Sequence, residues 1–262
     1  VGSSGIYYAF FGCFFLFIAG IGTVFNKKTR YNALSAFILI AIIFSSLFVS
    51  LLPSMISNYN NGKNYNVAQR SPIEAELYGL KIIHLILPVN HHRITLISEL
   101  KDKYNSMNYP TQTENTLATL GTIGSIGFLA LLIILICIIK KNNLIPHIYE
   151  QLAVLNISAV LLGTIGGFGS VFALLIYPQI RAYNRISVFI VFFSLFAVAL
   201  FLEFCKQKYV KTKKERYWFY ILMIILLIIG IFDQTTKSII PPYSENKENL
   251  EIHCEHKADL NH

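Results

Sequence analysis

Apolar residues in this chain gather in long unbroken blocks instead of recurring at the one-face spacing of a water-soluble helix. Blocks of Ile, Leu, Phe, Val and Ala cover residues 6–25, 33–52, 117–139, 152–176, 186–204 and 217–232. A run of about 20 such residues is what a helix needs to cross the ~30 Å hydrocarbon core of a bilayer. The pattern predicts an all-α integral membrane protein with about six transmembrane helices. Residues 1–53 hold two of them and 117–233 the other four. Residues 54–116 form an extracytoplasmic loop, and 234–262 a polar extracytoplasmic tail. The fourth block carries Gly163, Gly166, Gly167 and Gly169, a density that allows close packing or a break near Gly166-Gly167. No fixed-period repeat is visible.

Within the loop, residues 54–66 are rich in Asn and Gly and read as a mobile connection. Ser71-Pro72-Ile73-Glu74 then reads as a helix start, with Ser71 as N-cap and Pro72 in the first turn. The helix is expected to reach about Leu87 and stop at Pro88. Ile73, Leu77, Leu80, Ile83 and Leu87 share one of its faces. It is too short to span, so it fits the membrane interface or the ends of the spans. A further helix is expected over 94–104.

Composition supports the membrane reading. Hydrophobic residues make up 54% of the 262 and charged residues 14%, against about 25% charged in soluble domains. The net charge of +8 does not point to nucleic acid, because the cations sit beside apolar blocks. Lys27, Lys28 and Arg30 follow the first block, and Lys140 and Lys141 the third. Lys206, Lys208, Lys211, Lys213, Lys214 and Arg216 follow the fifth. If every block crosses once, these groups share one side, which should be the cytoplasm. Both termini then lie outside. Cys13, Cys137, Cys205 and Cys254 give no disulfide framework. The first residue is Val1 and no signal peptide is visible, so the chain reads as a piece of a longer one.

Candidate chemistry lies on the outer side. His91, His92 and Arg93 follow Pro88 and would meet a phosphate, or else form a solvated turn. Adjacent histidines point apart, so they do not make a metal site. Before the fifth block, Pro178 suits the start of a helix running into that span. Arg181 and Arg185 would then lie four apart on one face, with Asn184 close by. Such a pair suits an anionic ligand such as a lipid phosphate. The alternatives are snorkelling to headgroups or pairing with Glu74 or Glu76. Asp233-Gln234-Thr235-Thr236 reads as a cap on the outer end of the sixth span. His253-Cys254-Glu255-His256 reads as solvated tail in preference to metal ligands. No Gly-rich phosphate loop, nucleophile elbow or zinc-protease motif is present.

The runs Glu76-Leu-Tyr-Gly-Leu-Lys81, Leu87-Pro88, His92-Arg93 and Ile180-Arg-Ala-Tyr-Asn-Arg-Ile-Ser-Val-Phe189 resemble segments of bacterial multi-span proteins. So do Asp233-Gln234-Thr235 and Pro241-Pro242-Tyr243. Those proteins are of the sugar translocase or phosphoglycerol-transferase-like type, similar to the glycosyltransferase C superfamily. The resemblance implies an enzyme of the bacterial cytoplasmic membrane. It would transfer a sugar from a polyprenyl-phosphate donor on the outer face. Glu76 and Lys81 then join Arg181, Asn184, Arg185, His91, His92 and Arg93 as residues expected around the lipid phosphate. The catalytic residue stays unassigned, because the family's acidic residue lies on an outer loop of the N-terminal half. A divalent metal in the longer protein stays open. The alternatives are a transporter or flippase with a broken fourth helix, or a non-catalytic membrane subunit.

Overall fold

The structure, a computed structural model, describes residues 5–24, 30–62, 70–107, 118–140 and 145–236. Lys27, Lys28, Lys141, the Pro241-Pro242-Tyr243 run and the His253–His256 cluster lie outside the described residues, as does the side chain of Arg30.

The apolar blocks fold as helices: α1 (Ile6–Val24), α2 (Arg30–Asn61), α6 (Gly121–Ile139), α7 (His147–Gly163), α9 (Ser187–Tyr209) and α10 (Lys213–Asp233). Short helices α3 (Ile73–Leu77) and α4 (Ile82–Ile86) and the longer α5 (Thr95–Asn105) form a cap over one end. Helix α8 (Phe168–Leu175) follows α7. No strand is present among the described residues, only two isolated bridges. Five helices are long and apolar enough to cross a membrane: α1, α2, α6, α9 with its leading turn, and α10.

Contacts with the cap fix the directions of α6, α7, α9 and α10. Helix α6 begins beside the cap, where Leu120 N–H donates to the Leu85 carbonyl (3.0 Å). Helix α7 returns to it, because the Gly163 carbonyl accepts from Leu80 N–H (2.7 Å). Helix α9 starts at the cap, and α10 ends there. Lys140 and the cations of 206–216 therefore share the opposite, basic end. Phe11 and Phe15 of α1, Phe128 and Leu131 of α6, Ala159 and Val160 of α7, and Ile190 and Phe193 of α9 form the buried core. Helices α2 and α10 flank it and bury little apart from their ends. Apart from the side of α2 that packs on α1, their apolar surfaces are largely exposed and suit lipid.

The helix boundaries differ from expectation in three places, and the break expected in the fourth block is present. Helix α2 does not stop at Pro53 but runs through it to Asn61. A single internal proline removes one backbone bond, and the surrounding turns outweigh that loss. At ~1.5 Å per residue its 32 residues reach about 48 Å, beyond a bilayer core. The helix expected over 72–87 is two one-turn pieces, separated at Tyr78–Lys81. There Leu80 leaves the helix to bridge Thr164. Gly79 allows this approach, since a Cβ at that position would lie 2.9 Å from Ile165 Cγ1. The fourth block breaks after Gly163, where Leu80 N–H and the Leu80 carbonyl take over the backbone groups of Gly163 and Ile165. Finally, no helix starts at Pro178. Residues 178–182 are irregular, and a 3₁₀ turn over Tyr183–Ile186 leads into α9.

The basic end has one cap that the sequence spells out. Thr212 Oγ1 accepts Glu215 N–H (3.2 Å) and Glu215 Oε2 accepts Thr212 N–H (2.8 Å), a complete capping box at the start of α10.

Candidate functional site at the capped end

Two groups of polar side chains meet under the cap. The first surrounds the break between α7 and α8. Arg181 Nη1 donates to Glu74 Oε2 at 2.9 Å, and Arg70 lies 3.5 Å from the same oxygen. The Arg181 hydrogen bond holds the Glu74 carboxyl below its ordinary range, and Glu74 in turn raises Arg181. The Arg181 guanidinium also lies 4.6 Å from the centre of the Tyr78 ring. Glu76 Oε2 accepts Gly166 N–H (2.9 Å). Asn184 N–H donates to the Tyr78 carbonyl (3.2 Å), while its side-chain Oδ1 is buried without a hydrogen-bond partner among the described residues. Arg185 stacks on Tyr7 of α1, 4.8 Å from the ring centre.

Arg181 and Arg185 thus do not act as one helical pair. Arg181 sits on irregular backbone and is engaged by Glu74, the pairing alternative that the sequence left open. Arg185 turns to an aromatic partner in place of a carboxylate.

The second group joins the cap to α6 and α10. His91 adopts left-handed backbone (φ 55°) and is exposed, which turns His92 inward. His92 Nδ1 accepts Ile94 N–H (3.1 Å). The proton then resides on Nε2, which faces Asp233 Oδ1 at 3.4 Å. The other Asp233 oxygen accepts Thr122 N–H at 2.6 Å. Both side chains are buried, at 2% and 8% exposure. Asp233 therefore caps the start of α6, where free N–H groups favour an anion, and not the end of its own helix. Gly121 makes room for it: its φ of +70° favours glycine, and a Cβ there would collide with Asp233 and Gln234. Arg93 lies over Phe232, 5.1 Å from the ring centre, and its Nε is buried without a hydrogen-bond partner among the described residues.

The cap also holds a buried cationic contact of its own. Lys101 Nζ of α5 is 3.3 Å from His84 Nδ1 of α4, and Tyr104 meets the His84 ring edge-on at 5.3 Å. Lysine only donates, so His84 accepts and stays neutral. Burial first, then the charges of Lys101 and Lys81, push His84 down from the ordinary 6.5 to about 4. Burial likewise lowers Lys101. Lys81 lies near enough to His84 for its charge to act on that ring.

Sequence reasoning named Arg181, Asn184, Arg185, His91, His92, Arg93, Glu76 and Lys81. The structure sets six of them in the two groups, Lys81 beside His84, and His91 on the surface. Tyr7, Tyr78 and Thr122 carried no signal. His84 did, as a lone histidine in the apolar run Ile82–Leu87. No group of three or more metal-ligating side chains is present among the described residues.

A family model described as lycopene cyclase matches residues 5–92 and 184–255, more than half of the chain, and the chain belongs to that family. No curated protein and no solved structure matches it. Three contacts described above join the two matched segments: Tyr7 to Arg185, Tyr78 to Asn184, and His92 to Asp233.

Proposed function

We propose that this member of the lycopene cyclase family forms part of a membrane enzyme acting on a polyprenyl-phosphate lipid. It transfers the sugar or related group that the lipid carries, and the capped end is the working face. The observation that carries this reading is the pair of ring-stacked guanidiniums, Arg93 on Phe232 and Arg185 on Tyr7. Among the described residues neither is in an ion pair with a carboxylate. Stacked guanidiniums at the mouth of an apolar bundle suit a lipid whose headgroup is anionic. The positive-inside rule puts the basic end in the cytoplasm, with α7 as the sixth crossing. The capped end then faces out of a bacterial cytoplasmic membrane. In the reaction the acceptor oxygen bonds to the sugar carbon as the bond to the phosphate oxygen breaks. Arg93 and Arg185 take up the charge gathering on the leaving phosphate, and a base removes the acceptor proton.

The test is transfer from a radiolabelled polyprenyl-phosphate sugar by the full chain in proteoliposomes. Arg93→Ala and Arg185→Ala should each lower transfer by about tenfold or more. Unchanged transfer in both variants removes the assignment.

A second reading follows from the family's name: cyclisation of lycopene. The buried His92–Asp233 pair favours it, as ring closure on a polyene needs one proton delivered and one removed. Against it stands the cationic mouth, which an uncharged hydrocarbon does not use. Conversion of lycopene to cyclic products by the same proteoliposomes, abolished by Asp233→Asn, would decide for this second reading.

A further inference from the structure

Leu80, Leu85 and Leu87 of the cap join the core, yet along α4 and α5 cation-capable side chains are also turned inward and a row of apolar ones outward, unlike a segment facing water. His84, His92 and Lys101 point into the protein and are buried. Ile82, Ile83, Ile86, Ile94, Leu96 and Leu100 point away from it, between 42% and 77% exposed. In water this arrangement costs free energy on both counts: apolar surface is left hydrated and cation-capable groups are desolvated. Against hydrocarbon the outward face is the favourable one.

The depth of the cap supports the same conclusion. Ser125, in the second turn of α6, donates its hydroxyl to the Leu85 carbonyl at 3.2 Å. Leu120, just before α6, donates its N–H to the same oxygen. Helix α4 is therefore level with the opening turns of α6 and not stacked beyond them. On α6 this level leads into the apolar belt that begins with Ile126 and Leu129, 65% and 45% exposed. Helix α5 is held to α4 by the Lys101–His84 contact. On its outward side Leu96, Leu100 and Lys103 recur at three- and four-residue spacing and line a shallow depression with Ile97 and Glu99.

We infer that α5 lies within the membrane leaflet on the capped side, with its Leu96–Leu100 edge among lipid acyl chains. Lys103, a turn further on, reaches headgroup level. The cap is then a lipid-immersed wedge, whichever substrate the protein handles.

The chain's single tryptophan, Trp218, lies near the basic end, which gives a clean optical test. Leu100→Trp and Asp102→Trp are made in the full chain on a Trp218→Phe background. Both are reconstituted in phosphatidylethanolamine–phosphatidylglycerol vesicles with brominated acyl chains. Bromine should quench the Leu100→Trp emission by about half or more, and aqueous acrylamide should leave it nearly unchanged. Asp102→Trp, on the other side of α5, should show the reverse. Quenching of Leu100→Trp by acrylamide overturns the inference. Insensitivity to both quenchers overturns it too, as that is the signature of a second copy or another protein covering the edge. Leu96→Trp repeats the measurement if Leu100→Trp does not fold.

Discussion

Single residues hold the capped end together through bonds that skip most of the chain. Asp233 satisfies a backbone N–H of α6 and faces His92, both in buried surroundings. Asp233→Ala leaves both partners without it, at a cost of about 1–3 kcal/mol. A lowered thermal unfolding midpoint in detergent is the expected readout. Asn156 of α7 is the reverse case. It is fully buried, and neither side-chain amide atom has a hydrogen-bond partner among the described residues. Asn156→Leu, which keeps the volume and removes the polar atoms, should leave that midpoint unchanged or raise it. At this scale the sequence was partly readable. The guanidinium side chains stood out, and so did the alternative that Arg181 pairs with Glu74. Of the Asp233–Thr236 run expected to cap the sixth span, Gln234 and Thr235 do close α10, whereas Asp233 turns to a partner 111 residues away, of which local spacing carries no trace.

Among elements, the long helices were legible because length and apolarity alone define them. Of their interruptions, only the one in the glycine-rich fourth block was legible. Pro53 looked like a stop and is not one. Residues 72–87 kept helical spacing throughout, yet the helix breaks where Leu80 exchanges backbone bonds with the end of α7. The α4–α5 pair should also respond to acid. Its neutral His84 titrates near 4 when folded, against an ordinary 6.5. The unfolded cap therefore binds a proton that the folded one refuses. His84's contribution is complete above pH 6.5 and is lost as the pH falls through about 4. Amide hydrogen exchange across 82–105, corrected for its intrinsic pH dependence, should accelerate over that window. His84→Gln should flatten the response.

Over the whole molecule, the direction of each helix puts the described cations of three segments at one end. These are Lys140, the end of α9 and the start of α10. An alkaline phosphatase fused after residue 105 should be active outside the cytoplasm, and one fused after residue 210 inactive. The opposite result would place the cap in the cytoplasm. The relative directions of α6, α7, α9 and α10 were readable from the blocks and their charges. The capped end as a closed surface was not, since it depends on which loop residues meet which helix ends.

The ties at that end impose an order in time. Glu74 waits for Arg181, 107 residues on, and the start of α6 waits 111 residues for Asp233. During synthesis the cap emerges early and finds its last partner only when α10 is in place. Until then the start of α6 lacks its final neighbour, as Glu74 does until residue 181 has been made. Assembly is therefore paced by the last helix to insert, and a stalled chain ending before Asp233 presents an unlatched cap to the cell's quality-control proteases.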